Sequence, residues 1–314
     1  MQNLLLVNST ANDAVDGLLK QVIVSFEEAF PGRVCSCFVE GSYADKSGVA
    51  TSDIDLLLVF RARFLAGEQA KAEALADDCA KASTLELDID VADEATLQGG
   101  IWPTLKLSSL LVYGEDMRAQ LPLISLPEWT RDRMHSSLWR TVHLCHRSPI
   151  LTYTLSYPDP SGEFYGYDRR TICLPDGREV NCTRDLIRLV GWSATAILAF
   201  QKGQYVSRKR DCHKLYRTYI GDEWTMLLED IYYLCRGRWN YLIPTDPAER
   251  ARLRAICQRT LGFENHFLRI YKQFLLQELN SADEQGRRQA LAVKKYVTYQ
   301  DADIAAAIAA LEYA

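Results

Sequence analysis

Four residues near the N-terminus have the types and spacing needed to bind a nucleoside triphosphate through a metal ion. Gly41 and Ser42 are followed by ten residues and then by Asp53 and Asp55, which open an apolar run. Side chains two apart on a strand share a face, so both carboxylates can reach one metal centre. Mg²⁺ is usually held by one or two carboxylates together with phosphates and water. Glycine lets the backbone approach a phosphate closely, and serine offers it a hydroxyl and an N–H. The spacing therefore predicts a site for a metal-bound triphosphate.

A second acidic segment follows along the chain. In the run 85–91, Glu86, Asp88 and Asp90 alternate with apolar residues. This period of two predicts a strand with three carboxylates on one face. Like charges stacked in this way repel one another, which favours a nearby cation. A carboxylate on this strand would complete the metal site and could take the proton of an acceptor hydroxyl.

The elements around these residues predict a small αβ domain. Residues 9–30 read as a helix with Ser9 or Thr10 as its cap, and residues 64–82 as a second helix. Strands are predicted at 34–39, 54–60 and 85–91. From 183 to about 279 the pattern is mostly helical, after a loop at 156–182 that contains a hairpin turning on Pro175, Asp176 and Gly177.

The predicted fold class is α+β. A catalytic domain at 1–125, with a small mixed sheet flanked by helices, precedes a mainly helical domain at 126–314. The second domain is expected to close over nucleotide and substrate.

The segment 41–57, Gly-Ser-x10-Asp-Ile-Asp-Leu-Leu, resembles the signature of the DNA polymerase β-type nucleotidyltransferase superfamily. The spacing and the run Ser-Asp-Ile-Asp-Leu-Leu at 52–57 are most similar to the streptomycin/spectinomycin (aminoglycoside) adenylyltransferases. The segment 203–209, Gly-Gln-Tyr-Val-Ser-Arg-Lys, is similar to a segment in the helical domain of those enzymes, and Tyr-Gly-Glu-Asp at 113–116 to a common end of the catalytic domain.

The resemblance implies roles for individual residues. Asp53 and Asp55 would bind Mg²⁺, while Gly41, Ser42 and Lys209 would contact the nucleotide. The third carboxylate stays open, because the superfamily pattern fits Asp88 and the streptomycin-modifying pattern fits Glu86. We rank Asp88 first, as metal ligand and base, then Glu86, then Asp90.

The bulk composition is that of an ordinary globular protein. The formal net charge of −5 gives no general attraction to nucleic acid or an anionic membrane, so a nucleic-acid substrate is disfavoured. The nine cysteines are an odd count without a Cys-x-x-Cys pair, which supports neither a disulfide framework nor a zinc site. With no signal-peptide pattern and no long apolar stretch, we expect a cytoplasmic protein without membrane spans.

The resulting expectation is an enzyme that transfers AMP from ATP, with Mg²⁺, to a hydroxyl of a small-molecule acceptor such as an aminoglycoside. A toxin-like nucleotidyltransferase that modifies a protein or tRNA would share the same catalytic residues. A non-catalytic, nucleotide-binding regulatory protein is disfavoured by the intact aspartates. The sequence does not decide the acceptor, the choice of nucleotide or the oligomeric state.

Overall fold

The structure is a computed structural model that describes residues 4–49, 51–174 and 177–312. The chain divides into two compact units, residues 1–125 together with 207–209, and residues 126–206 together with 210–314. The short segment 207–209 packs with the first unit although it lies far along the chain. The assignment of the two halves as separate domains split at residue 125 stays a prediction.

The first unit is built on a four-stranded mixed sheet with the strand order β3-β2-β1-β4. β2 pairs with β1 in the antiparallel sense and with β3 in the parallel sense. Its elements, in chain order, are α1 (Asp13–Ala29), β1 (Val34–Glu40), α2 (Gly41–Ala44), β2 (Ile54–Phe60), α3 (Glu68–Ala82), β3 (Leu87–Asp93), α4 (Glu94–Leu97), α5 (Pro103–Ser108) and β4 (Leu110–Gly114).

The helix α1 begins later than the sequence predicted. Ser9 and Thr10 do not cap it, because their hydroxyls instead donate to the Asp16 carboxylate at 2.6 and 2.7 Å. The cap is Asn12, whose side chain accepts hydrogen bonds from the Ala14 and Val15 N–H groups in the first turn of the helix. The apolar face of α1 is buried in the same core cluster as residues of β1 and β2.

Local hydrogen bonds also move the boundaries of α3 and β3. Gly67, at a φ of 73°, precedes α3, and the Glu68 carboxylate accepts from the Leu65 N–H, so residues 64–67 form a turn rather than the predicted helix start. The Ser83 hydroxyl donates to the Leu85 carbonyl and accepts from the Leu85 N–H, which keeps residue 85 out of the strand. The strand β3 therefore covers 87–93 rather than 85–91.

The second unit is mainly helical. Its helices are α6 (Leu126–His143), α7 (Arg184–Lys202), α8 (Cys212–Tyr219), α9 (Thr225–Asp230), α10 (Pro247–Leu279), α11 (Glu284–Val293) and α12 (Ala302–Glu312), with a π-helix at Ile231–Arg238. The α+β fold class predicted from the sequence is confirmed. Among the described helices, none is both long and apolar enough to cross a membrane.

The loop region 156–182 carries little regular structure. Its strands β6 (Thr171–Cys173) and β7 (Glu179–Asn181) pair in the antiparallel sense, which is the predicted hairpin. Two of the predicted turn residues, Pro175 and Asp176, lie outside the described residues. A further parallel pair joins β5 (Ile150–Thr152) to β8 (Thr298–Gln300).

Candidate active site

The register of the sheet places carboxylates side by side on three neighbouring strands. The Cα partner of Asp55 is Glu40 on β1 and Asp88 on β3. Neighbouring strands lie about 4.8 Å apart, and register partners project from the same face of the sheet. Glu40, Asp55 and Asp88 therefore form one row across β1, β2 and β3. The row brings the predicted metal ligand Asp55 next to Asp88.

Gly41 lies directly against this row. Its φ is +70°, in the left-handed region, and a Cβ atom built on it would come within 2.5 Å of Asp55 Oδ2. Any larger residue would displace the carboxylate or the turn. The two halves of the sequence motif, which are 14 positions apart, are thus in contact through the Gly41 backbone and the Asp55 side chain.

Short hydrogen bonds shape the ten-residue segment between Ser42 and Asp53. The Ser47 N–H donates to the Ser42 carbonyl at 2.8 Å, which closes the turn after α2. The Ser52 hydroxyl accepts from the Val49 N–H at 3.0 Å, and the Ser52 N–H donates to the Val49 carbonyl at 2.8 Å. These hydrogen bonds between Val49 and Ser52 place Asp53 directly before β2. Within the described part of the chain, the Ser42 hydroxyl takes part in no hydrogen bond, so it is available to a ligand.

The acidic face predicted for the third strand is present. Glu86, Asp88 and Asp90 are all exposed, whereas Leu87 is buried and Ile89 half-buried. Although the Asp90 side chain reaches solvent, nearby protein atoms partly desolvate its carboxyl group and raise its pKa, and the charges of Asp88 and Asp55 also raise that pKa. Glu86 lies just before β3, where its carbonyl accepts from the Ile54 N–H at 2.9 Å. The parallel register therefore sets Asp88 beside Asp55 and Glu86 beside Asp53.

Glu40 is a carboxylate of this row that the sequence reasoning did not single out. It is half-buried at the end of β1, and burial raises its pKa. A hydrogen bond with the Thr104 side chain and the charge of Lys209 lower that pKa, while the charge of Asp55 raises it. Its position directly before Gly41 could have drawn attention to it, but only the antiparallel pairing of β1 with β2 shows that it faces Asp55.

Lys209 contacts the same row. Its Nζ lies 3.7 Å from Asp55 Oδ2, and its side chain is 67% exposed. The Ser108 hydroxyl donates to the Ser207 carbonyl at 2.6 Å, which holds the segment 207–209 against α5. A cation on a flexible stem beside the carboxylates is able to exchange its partner for a phosphate.

The carboxylates fit a divalent cation of the magnesium type by their chemistry. Hard oxygen donors are what Mg²⁺ selects, and repulsion within the row favours a cation beside it. Across residues 4–49, 51–174 and 177–312, no three His, Cys, Asp or Glu side chains are arranged to hold a metal ion by themselves. Mg²⁺ commonly uses only one or two protein carboxylates and takes its other ligands from phosphates and water. Asp55 and Asp88 meet that smaller requirement.

Comparison with known proteins gives matches in structure alone. No protein-family model and no curated protein matches the chain.

The solved structures that match include nucleotidyltransferases. A candidate nucleotidyltransferase from Sulfolobus solfataricus is 18% identical over 38% of this chain and 96% of that chain, with a TM-score of 0.25. A toxin–antitoxin solved with AMP-PNP is 15% identical over 32% of this chain and 77% of that chain, with a TM-score of 0.23.

A spectinomycin adenyltransferase from Enterococcus faecialis, solved with ATP and spectinomycin, is 13% identical. The match covers 89% of this chain and 98% of that chain, with a TM-score of 0.37. Likenesses this distant carry no argument about function, so the functional case depends on the residues of the site.

Proposed function

We propose that this chain is a Mg²⁺-dependent nucleotidyltransferase that transfers AMP from ATP to a hydroxyl of a small-molecule acceptor. The observation that carries the proposal is the contact between the Gly41 backbone and the Asp55 carboxylate, with Asp88 in register beside Asp55. The Gly41 turn, the start of β2 with Asp55 and the start of β3 with Asp88 meet at one end of the sheet. A turn that approaches phosphates and carboxylates that bind a metal are the parts that nucleotidyl transfer would require.

Asp55 and Asp88 would hold the metal together with phosphate and water oxygens, and Asp53 is the further ligand that the sequence pattern implies. When bound, Mg²⁺ would offset the charge of the triphosphate. Gly41 allows the backbone to approach the phosphates, and the Ser42 hydroxyl donates to them. Most of the rate then comes from positioning and from fixed charges around the reacting phosphorus.

The acceptor hydroxyl needs a group that takes its proton. Asp88, exposed and adjacent to Asp55, is our first choice for this base, and Glu86 is the second. As the proton passes to the carboxylate, the acceptor oxygen forms a bond to the α-phosphorus. The bond from that phosphorus to the bridging oxygen breaks, and pyrophosphate leaves. The Lys209 ammonium, which lies 3.7 Å from Asp55 Oδ2, would neutralise part of the leaving charge.

The surroundings of the row favour a cationic acceptor. Glu40, Asp88 and Asp90 add negative charge on the same three strands, as Glu86 does just before β3, and Lys209 lies beside Asp55. A polycationic aminoglycoside would be attracted to such a face, whereas a polyanionic tRNA would be repelled. We therefore propose an aminoglycoside-type acceptor ahead of a protein or tRNA, and an enzyme ahead of a non-catalytic nucleotide-binding regulator.

The first prediction tests the reaction. With ATP, Mg²⁺ and a panel of aminoglycosides, we expect acceptor-dependent release of pyrophosphate. Asp53→Asn should lower the rate at least about 100-fold because a metal ligand is lost. Asp77→Asn, at an exposed position on α3, serves as the matched control and should behave as wild type. Labelling of protein or tRNA from a cell extract, with no drug modified, would instead support the toxin-like alternative.

The second prediction distinguishes the three carboxylates of the acidic strand. Asp88→Asn should lower kcat by about 10²–10⁴-fold, the range for loss of a general base. Glu86→Gln and Asp90→Asn should stay within about tenfold. All three side chains are exposed, so the free energy of unfolding should change by less than about 0.5 kcal/mol in each variant. A larger loss of kcat in Glu86→Gln than in Asp88→Asn would reassign the base.

The third prediction concerns the contact between Gly41 and Asp55. Gly41→Ala should reduce activity at least about 100-fold, because its Cβ would displace the Asp55 carboxylate. Gly32→Ala is the matched control, since Gly32 has the same type of backbone at a φ of +69° but no atom within 4 Å of the added Cβ. Both variants should lose similar stability in chemical denaturation. Equal activities of the two variants would show that this contact does not position the site.

A further inference from the structure

The second unit carries an alternating stack of indole and guanidinium groups on α6 and α7. Arg133 lies 4.4 Å from the ring centre of Trp129 and 3.9 Å from that of Trp192. Arg140 lies 3.4 Å from the ring centre of Trp192 and 5.8 Å from that of Trp139. One face of an indole has no room for two guanidinium groups at such distances. Arg133 and Arg140 therefore cover opposite faces of Trp192.

The stack ends at the surface. Trp139 is 41% exposed, and its ring stacks on that of exposed His143 with 4.1 Å between the ring centres. Residues 139 and 143 are one helical turn apart on α6, so the helix itself aligns the two rings. The outer end of the stack is thus an aromatic surface that a flat ring can contact.

The stack contains two guanidinium groups, those of Arg133 and Arg140, and one carboxylate, that of Asp132, pairs with Arg133. Within the described part of the chain, Arg140 makes no ion pair, and its one hydrogen bond is to the Ser136 carbonyl at 3.4 Å. Burial, together with the charges of Arg133 and Arg188, lowers the pKa of Arg140 to about 10 against the opposing charge of Asp132. Partly buried guanidinium groups that repel one another destabilise the folded state unless an anion pairs with them.

The geometry favours phosphate as that anion. Trp192 covers one face of the Arg140 guanidinium, but the edge of the group still presents N–H donors in one plane, and this fork matches two phosphate oxygens. An exposed aromatic ring beside the fork is the surface on which a base stacks. Phosphate and base together describe a nucleotide, either free or as part of a single strand.

We propose that α6 and α7 form a second binding site, in which the Arg140 edge holds the phosphate of a nucleotide and the outer surface of the Trp139–His143 ring pair stacks on its base. The site does not depend on the proposed transferase activity, since none of its residues belongs to the carboxylate row.

The fourth prediction tests this site by binding alone. Two probes are used without metal: a fluorescein-labelled single-stranded RNA 12-mer, followed by anisotropy, and ATP, followed by calorimetry. Arg140→Gln should weaken binding of at least one probe about tenfold or more, the scale of a lost charge-assisted hydrogen bond. Arg252→Gln, an exposed arginine on α10, is the matched control and should stay within about twofold of wild type.

Further variants separate stacking, charge and folding. Trp139→Ala removes only the exposed ring and should also weaken binding, while Arg140→Lys keeps the charge but loses the planar fork and should behave like Arg140→Gln. Should Arg140→Gln fail to fold, Trp139→Ala decides the question. In Asp55→Asn, binding that depends on Arg140 should persist, which separates this site from the catalytic one.

Binding of RNA but not ATP would identify the ligand as a polynucleotide, and Arg140-dependent binding of ATP would identify a free nucleotide. Wild-type protein that binds neither probe would overturn the proposal. The same holds if Arg140→Gln and Trp139→Ala bind both probes as wild type does.

Discussion

Repulsion between carboxylates on adjacent strands is the constraint around which the first unit is organised. The backbone register, not the side chains, aligns Glu40, Asp55 and Asp88, because β1 and β3 both pair with β2 at residue 55. Like charges opposite one another destabilise a sheet. A stable fold that keeps them requires positive charge nearby, and Lys209 supplies a part of it at 3.7 Å. A divalent cation would add further positive charge.

The other features of the site follow from this row. Glycine suits position 41 because its φ is +70° and because a Cβ atom there would displace the Asp55 carboxylate. The turn bonded between Val49 and Ser52 sets where β2 begins and so where Asp53 lies. Burial and neighbouring charge raise the pKa of Glu40 and Asp90, as expected for acids that face other acids across a sheet.

Local patterns in the sequence predicted the parts of the site that depend on local geometry. The spacing from Gly41 to Asp55 indicated a turn followed by a strand, and the alternation around Asp88 indicated an exposed acidic face; the structure shows both. The fourth strand, Leu110–Gly114, was missed because its five residues show no clear alternation. Glu40 was missed because its place in the row depends on the pairing of β1 with β2. The roles assigned to individual residues stay predictions, since structure alone does not test them.

Like Glu40 and the fourth strand, the stack of arginine and tryptophan side chains was not predicted from the sequence. Trp129, Arg133 and Arg140 lie on α6 and Trp192 on α7, so the alternation arises only when the two helices pack. In the sequence of α6 alone, these residues look like an ordinary helix surface that carries both polar and apolar side chains. Contacts between distant segments leave no periodic pattern in the sequence, so the packing of Trp192 between Arg133 and Arg140 could be recognised only in the structure.

The central claim is that the row on β1, β2 and β3 binds a metal–nucleotide complex through Asp55. Electron paramagnetic resonance of Mn²⁺, added with ATP as a probe for Mg²⁺, measures this directly. We expect wild type and Asp77→Asn to bind the Mn²⁺–ATP complex, and Asp55→Asn to bind it at least about tenfold more weakly. Binding by Asp55→Asn with wild-type affinity would contradict the account, as would the absence of any Mn²⁺–ATP complex on the wild-type protein.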